Sequence, residues 1–250
     1  IILLFMKNTA IIIPSRLEAK RFPNKPLALI NGLPMIVHVL NRALESKVGD
    51  VYVATPDKEI FDLIKKNGGE AILTKSNHLS GSDRVYEAYS KIIKNNVDLI
   101  INLQGDMPNI KPNSIIKLEK LMRSNSCAIG TLASLISEKE EIKDANVVKV
   151  QLNQNLTNHN FLEAKDFFRL KKNLKNEAIY HHIGIYAFTR DALKKYVNHE
   201  RSNLEIERNL EQMRAIENGI LIKVALINSS PLGVDTELDL KKVIKEMNLK

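Results

Sequence analysis

One cysteine, Cys127, stands in the 250 residues, so no disulfide can form within the chain and the disulfide framework of a small secreted domain is excluded. Tryptophan is missing and aromatics make up 5% of residues, which leaves few platforms for stacking the bases of a single-stranded nucleic acid. No apolar run approaches the roughly 20 residues that a membrane-spanning helix needs. Residues 1–5 are apolar, but no basic region precedes them and no small-residue cleavage site follows, unlike a secretory signal. Met6-Lys7 behind them reads as a start, with 1–5 as an upstream extension. Internal repeats, low-complexity tracts and linkers are missing too, as are the phosphate-binding signatures G-x-x-x-x-G-K-[ST] and G-x-G-x-x-G. These absences point to a single domain over 6–250, working in a reducing cytoplasm without membrane insertion.

What is present in excess is positive charge. Lysine and arginine total 37 against 29 aspartates and glutamates, a net charge of +8. The surplus is spread along the chain with no arginine-rich block, so it reads as a surface bias suited to small polyanions and not as a nucleic-acid interface.

Residues 10–14 form a short β-branched run ended by Pro14, a buried strand. Pro34 opens a helix over 34–47 with Ile36, Val39, Leu40 and Ala43 on one face. Strands follow over 50–55, 70–74, 97–103 and 128–135, and helices over 57–67, 82–95 and 112–124, with Gly68-Gly69 closing the second helix. Near-continuous apolar strands alternating with helices mark a parallel sheet covered on both faces. In such sheets ligands sit beyond the carboxyl ends of the strands. The second half reads less regularly: strands over 147–152, 180–188 and 220–227, helices over 191–197, 204–218 and 236–247, and a polar stretch, 153–177, without a clear pattern. Thr236 with Asp239 three residues on is an N-terminal capping pair.

Five places carry possible chemistry, each with a plain alternative. After the first strand, Ser15 is followed by four cations, Arg16, Lys20, Arg21 and Lys25. Fixed charge, guanidinium forks and turn N–H groups suit a triphosphate; a solvated basic loop is the alternative. Gln104-Gly105-Asp106 ends a buried strand, where Asp106 could hold Mg²⁺ or merely serve a turn. Asp235, ahead of the last helix, could join Asp106 at one metal or only offset the helix dipole. Ser80, Gly81, Ser82 and Arg84 at a helix start could underlie a nucleotide or only cap the helix. Alternation puts His182, Gly184 and Tyr186 on one strand face, fit for a sugar or simply half-exposed, and it places His181 opposite, which argues against a two-histidine metal site.

Taken in order, the segments at 11–16, 21–27, 32–36, 80–84, 104–106, 182–186, 210–214 and 233–236 closely resemble the 3-deoxy-D-manno-octulosonate (Kdo) cytidylyltransferases, the CMP-Kdo synthetases of lipopolysaccharide biosynthesis. CMP-sialate synthetases resemble the front half but less of the rest. The resemblance implies an α/β, Rossmann-like nucleotide-diphosphosugar transferase fold with a mainly parallel mixed sheet and a small dimerisation extension. It implies a cytoplasmic homodimer, Mg²⁺ as cofactor, and transfer of CMP from CTP to Kdo with release of diphosphate. It assigns Arg16, Arg21 and Lys25, with Ser15, to the triphosphate, and Ser80, Gly81, Ser82, Arg84 and Gln104 to the nucleotide. Asp106 and Asp235 become the metal ligands, which with Arg16 and Lys25 carry catalysis, while Gln104, His182, Tyr186 and Gln212 face the sugar acid. Three places depart from the family's usual pattern: Met107 where a glutamate is usual, Phe161-Leu162-Glu163 where a Phe-Ser-Arg segment is usual, and Arg208 where an acid is usual. These departures leave open an amino-substituted Kdo or a sialate as substrate, or a weakened CTP-binding paralogue.

Overall fold

The computed structural model describes residues 8–18, 21–92, 96–136, 139–171 and 178–248. The reading of 1–7 as an extension with a start, the cation Lys20, and the end of the 153–177 stretch lie outside the described residues. In chain order the elements are β1 (Thr9–Pro14), a 3-10 turn (Lys25–Leu27), β2 (Leu29–Ile30), β3 (Leu33–Pro34), α1 (Met35–Ser46), β4 (Asp50–Thr55), α2 (Lys58–Lys66), β5 (Glu70–Leu73), α3 (Gly81–Ile92) and β6 (Leu99–Asn102). Then come α4 (Pro112–Ser124), β7 (Ile129–Ser134), α5 (Lys139–Lys143), β8 (Lys149–Leu152), β9 (Leu162–Phe168), β10 (Ala178–Thr189), α6 (Arg190–Asn198), α7 (Asn203–Arg208), α8 (Met213–Glu217), β11 (Ile222–Ile227) and α9 (Glu237–Asn248). The chain divides into two compact units, Ile1–Ile116 with Leu232–Lys250, and Lys117–Pro231.

In the first unit the strand order is β5-β4-β1-β6, every pairing parallel. Ala10 to Ile13 are fully buried, as a central parallel strand covered on both faces requires. Gly49 passes so close to Thr9 that an added Cβ would lie 1.9 Å from its carbonyl oxygen, which excludes any side chain at the entry to β4. α2 ends as its glycines suggest: Gly68 is left-handed (φ 76°) and Gly69 N–H donates to Ile64 O at 3.0 Å. Val243 of α9, with Val234 just ahead of the helix, packs against Ile30 and Met35, with Phe22 and Leu240 at the margin. Each such buried side chain contributes about 2 kcal/mol, whereas the exposed Arg21–Asp235 ion pair contributes about 1 kcal/mol at most. Apolar packing therefore sets where Asp235 stands.

In the second unit β7 lies between β10, antiparallel, and β11, parallel, while β8 and β9 form an antiparallel pair joined to β10 and β11. Gly130 admits Met122 and Phe161, which would lie 2.6 and 2.8 Å from an added Cβ. The patternless stretch 153–177 contains β9. Its polar Glu163, Lys165 and Asp166, and a register shift opposite Gln151 and Leu152, hide the period-two signal. The helix expected over 204–218 is corrected to two, α7 and α8. Asn209 takes the left-handed C-cap (φ 51°) and Leu210 turns in to 4% exposure, which stops the first helix. The expected placing of His182 and Tyr186 on one face holds, their rings 5.4 Å apart, although β10 bulges between Ile183 and Tyr186. The Thr131 hydroxyl fills the bulge, donating to Ile185 O at 2.7 Å.

Candidate active site

The site is a cavity of about 380 Å³ within the first unit, beyond the carboxyl ends of β1 and β6. β1 delivers Pro14 and then Ser15, whose N–H donates to Ala54 O at 2.9 Å. The Ser15 hydroxyl is buried on the cavity wall with no hydrogen-bond partner among the described residues. The basic turn is anchored from outside itself, since Leu17 N–H donates to Asp57 Oδ2 at 2.7 Å. It closes when Asn24 adopts φ 57° and donates its N–H to Leu17 O at 3.1 Å. Asn24 then starts the 3-10 turn that holds Lys25 over the cavity, with Pro26 buried beneath. Arg16 and Arg21 line the same cavity and are exposed to solvent.

The two acidic segments meet the turn. Gly105 lets the chain beyond β6 pass Pro14, whose carbonyl would lie 3.0 Å from an added Cβ. Asp106 follows, and its carbonyl accepts from Val234 N–H at 2.9 Å, which joins the Asp106 and Asp235 segments backbone to backbone. Lys25 Nζ donates to Asp106 Oδ2 at 2.9 Å and to Val234 O at 2.7 Å, and lies 3.5 Å from Asp235 Oδ1. Arg21 Nη2 lies 2.9 Å from Asp235 Oδ2. Burial works against the Lys25 ammonium, but the Asp106 and Asp235 carboxylates outweigh it and hold its pKa above the ordinary lysine value. Asp235 itself leads into the capping pair expected from sequence, with Thr236 N–H donating to Asp239 Oδ2 at 3.0 Å and Asp239 N–H to Thr236 Oγ1 at 3.3 Å.

Ser80, Gly81, Arg84 and Gln104 also line the cavity. Ser80 caps α3, its hydroxyl accepting from Asp83 N–H at 3.2 Å. Arg84 is 3% exposed, and its guanidinium donates to Thr74 Oγ1 at 2.6 Å and Lys75 O at 2.9 Å, so it braces the loop as well as lining the cavity. Ser82 is buried below the wall, where its hydroxyl accepts from Asn102 Nδ2 at 3.3 Å. Gln104 Nε2 donates to Asn102 Oδ1 at 2.9 Å, which orients its amide.

His182, Tyr186 and Gln212 belong to the second unit. The His182 ring stands 5.4 Å from Tyr186 and 5.0 Å from Phe167. With Thr131 Oγ1 donating to Ile185 O, the His182 Nε2–H is left to donate to Thr131 Oγ1 at 3.0 Å. Burial, aided by neighbouring His181, pushes His182 down to about 3, so the ring is neutral at ordinary pH. The Tyr186 hydroxyl is buried with no hydrogen-bond partner among the described residues. Gln212 is 8% exposed at the start of α8. The three departures have structural places: Met107 is buried, Phe161 packs on Gly130, and Arg208 donates to Asp166 Oδ1 and to Phe167 O at 2.9 Å.

A family model described as cytidylyltransferase matches residues 10–224. The 3-deoxy-manno-octulosonate cytidylyltransferase of Brucella ovis is 42% identical over 236 residues, 94% of each chain. This chain belongs to that cytidylyltransferase family. The enzyme of the same description from Bartonella tribocorum is also 42% identical, over 239 residues, covering 94% of this chain and 96% of its own. A solved CMP:2-keto-3-deoxy-manno-octonic acid synthetase complexed with CTP superposes with a TM-score of 0.86 at 35% identity, covering 96% of this chain and 98% of that one. The UTP-bound UGPase of Acinetobacter baumannii, at TM-score 0.69 and 11% identity, shares the fold. In this cytidylyltransferase, Asp57 carries a role that its sequence neighbourhood does not show. It reads as an ordinary N-cap of α2, yet its carboxylate is spent on Leu17, 40 positions away, and only long-range geometry exposes that role.

Proposed function

We propose that this chain transfers CMP from CTP to 3-deoxy-D-manno-octulosonate, releasing diphosphate and supplying the activated sugar of lipopolysaccharide assembly, with Mg²⁺ as cofactor. The observation that carries the reading is the convergence of Asp106 and Asp235 on one point, the Lys25 ammonium, inside a cavity walled by the basic turn. Two hard carboxylates at one focus fit Mg²⁺, which takes one or two of them together with phosphate oxygens. The charges of the wall agree. Arg16, Arg21, Lys25 and Arg84 face Glu18, Asp106 and Asp235, a surplus of one positive charge against a triphosphate that carries several negative ones. A further cation on the acidic pair would close that gap.

The chain's own work is alignment and neutralisation. Arg16, Arg21 and Lys25 spread positive charge over the triphosphate, and the Ser15 hydroxyl offers a buried donor beside it. The anomeric hydroxyl oxygen of the sugar bonds to the α-phosphorus, the bond from that phosphorus to the bridging oxygen breaks, diphosphate leaves with the electron pair, and the hydroxyl proton passes to solvent. Mg²⁺ held by Asp106 and Asp235 would supply charge at the α-phosphate and acidity at the attacking hydroxyl. His182, neutral and donating to Thr131, is a polar surface for the sugar and not a cation for its carboxylate. Family resemblance supports a cytoplasmic homodimer, which sedimentation and cell fractionation would test.

The deciding assay is diphosphate release from CTP with Kdo, with and without Mg²⁺. Well-folded protein that releases none with any 2-keto sugar acid would overturn the assignment. Faster turnover with sialate or an amino-substituted Kdo at fixed CTP would move it to a sister substrate.

A further inference from the structure

One wall of the cavity is the segment joining β5 to α3, through His78, Leu79 and Ser80. Residues 74–80 contain no helix or strand and no buried residue, and Leu79 is 76% exposed. Burial of apolar surface therefore cannot hold this wall in place, and a segment so exposed opens easily unless polar bonds fix it.

Those bonds come from one face of α3, from Arg84, Glu87 and Lys91, spaced at helical repeats. Arg84 takes Thr74 and the Lys75 carbonyl, as above. Glu87 Oε2 accepts from Lys75 N–H at 2.9 Å and pairs with His78 Nε2, while its Oε1 accepts from Lys91 Nζ at 2.8 Å. Lys91 Nζ also donates to Leu73 O at 2.6 Å. Glu87 itself is not on the cavity wall. Burial alone would raise its pKa, but Lys91, His78 and the Lys75 amide together hold it down at about 2, so the carboxylate is ionised at any working pH.

We propose that Glu87 is a positioning residue for the nucleotide: by gripping the Lys75 backbone and the His78 ring it holds the 78–80 wall in the shape that receives CTP. This rests on the cytidylyltransferase reading. Two bonds to one carboxylate fix both the start of the loop and its cavity-lining end, and of the three bracing side chains only Glu87 reaches His78.

The test uses Glu87→Gln in the full chain, with CTP affinity by calorimetry, kcat at saturating CTP, and trypsin cleavage after Lys75. Replacing a charged acceptor by a neutral one should weaken CTP binding about ten-fold. kcat at saturation should stay within about two-fold, because bound CTP restores the wall. Cleavage after Lys75 should quicken in the free variant and slow again with CTP. A residue that only stabilised the fold would lower the melting temperature and leave the affinity of the folded fraction unchanged. Unchanged affinity, or weakened affinity with an unchanged cleavage rate, overturns the proposal. Should Glu87→Gln not fold, Lys91→Met removes one partner of the same carboxylate, with an expected weakening of about three-fold. Wild-type protein that keeps Lys75 protected but binds no CTP would sink the cytidylyltransferase reading instead.

Discussion

Lys25 Nζ meets Asp106 Oδ2 at 2.9 Å across 81 positions of chain, and the same ammonium reaches the Asp235 segment 209 positions away. This contact makes the basic turn and the acidic pair one unit. Effects of removing its members should then fail to add. Asp106→Asn and Lys25→Ala should each lower kcat/KM by about 10²–10³ with the fold retained, and the double variant should fall far short of the product. Diphosphate release and thermal melting measure both parts. Normal turnover by Asp106→Asn would remove the aspartate from the mechanism.

Asp57 holds the turn through Leu17. Asp57→Ala should weaken CTP binding about five-fold and cost about 1–2 kcal/mol of stability, since a buried-side amide loses a charged acceptor. The helix cap is not the cause, because Asp57 makes no side-chain cap bond to α2. Calorimetry against CTP and urea unfolding would separate the two effects, and wild-type affinity would show that the turn does not need this anchor.

His182 gives the fold an acid weakness. Its folded pKa of about 3 lies below the unfolded value of about 6.5, so the unfolded chain takes the proton first as pH falls. Its contribution is fully present above about pH 6.5 and is lost progressively below, at up to about 1.4 kcal/mol per pH unit. His181, lowered by burial although Glu141 opposes the shift, adds to the same slope. Glu87, depressed to about 2, contributes loss only below the ordinary carboxylate range of about 4.3. Between pH 6.5 and about 4.5 the slope should therefore flatten in His182→Gln, as read by urea unfolding at several pH values. An unchanged slope would show that the ring is accessible to protons in the folded state.

In the second unit, Arg214 and Glu205 form a bidentate pair at 2.8 and 2.9 Å with both side chains 2% exposed. Burial opposes the Glu205 charge, but Arg214 and Arg201 hold its pKa below the ordinary value. Removing one partner strands the other. Arg214→Met or Glu205→Leu alone should cost about 3–5 kcal/mol, and the double variant markedly less than the sum. Additive losses in urea unfolding would show that the pair is not coupled.

Features whose causes lie within a few residues were legible in the sequence. The β1 run of Ala10 to Ile13, the glycines behind α2 and the Thr236–Asp239 cap all follow from local spacing, and all stand where that spacing puts them. The order of motifs also identified the family before any geometry. Tertiary structure alone decided the rest. Asn209 stops α7 because a left-handed cap lets Leu210 bury itself; helical periodicity runs on through that point without a sign of the break. The bulge in β10 meets the Thr131 hydroxyl of another strand, which donates to Ile185 O. The meeting of Lys25, Asp106 and Asp235 depends on a missing Cβ at Gly105 and on apolar packing beneath α9. Local propensity acts over a helical turn or a strand pair, whereas a charge focus needs segments brought together across the whole chain, and only burial of the core does that.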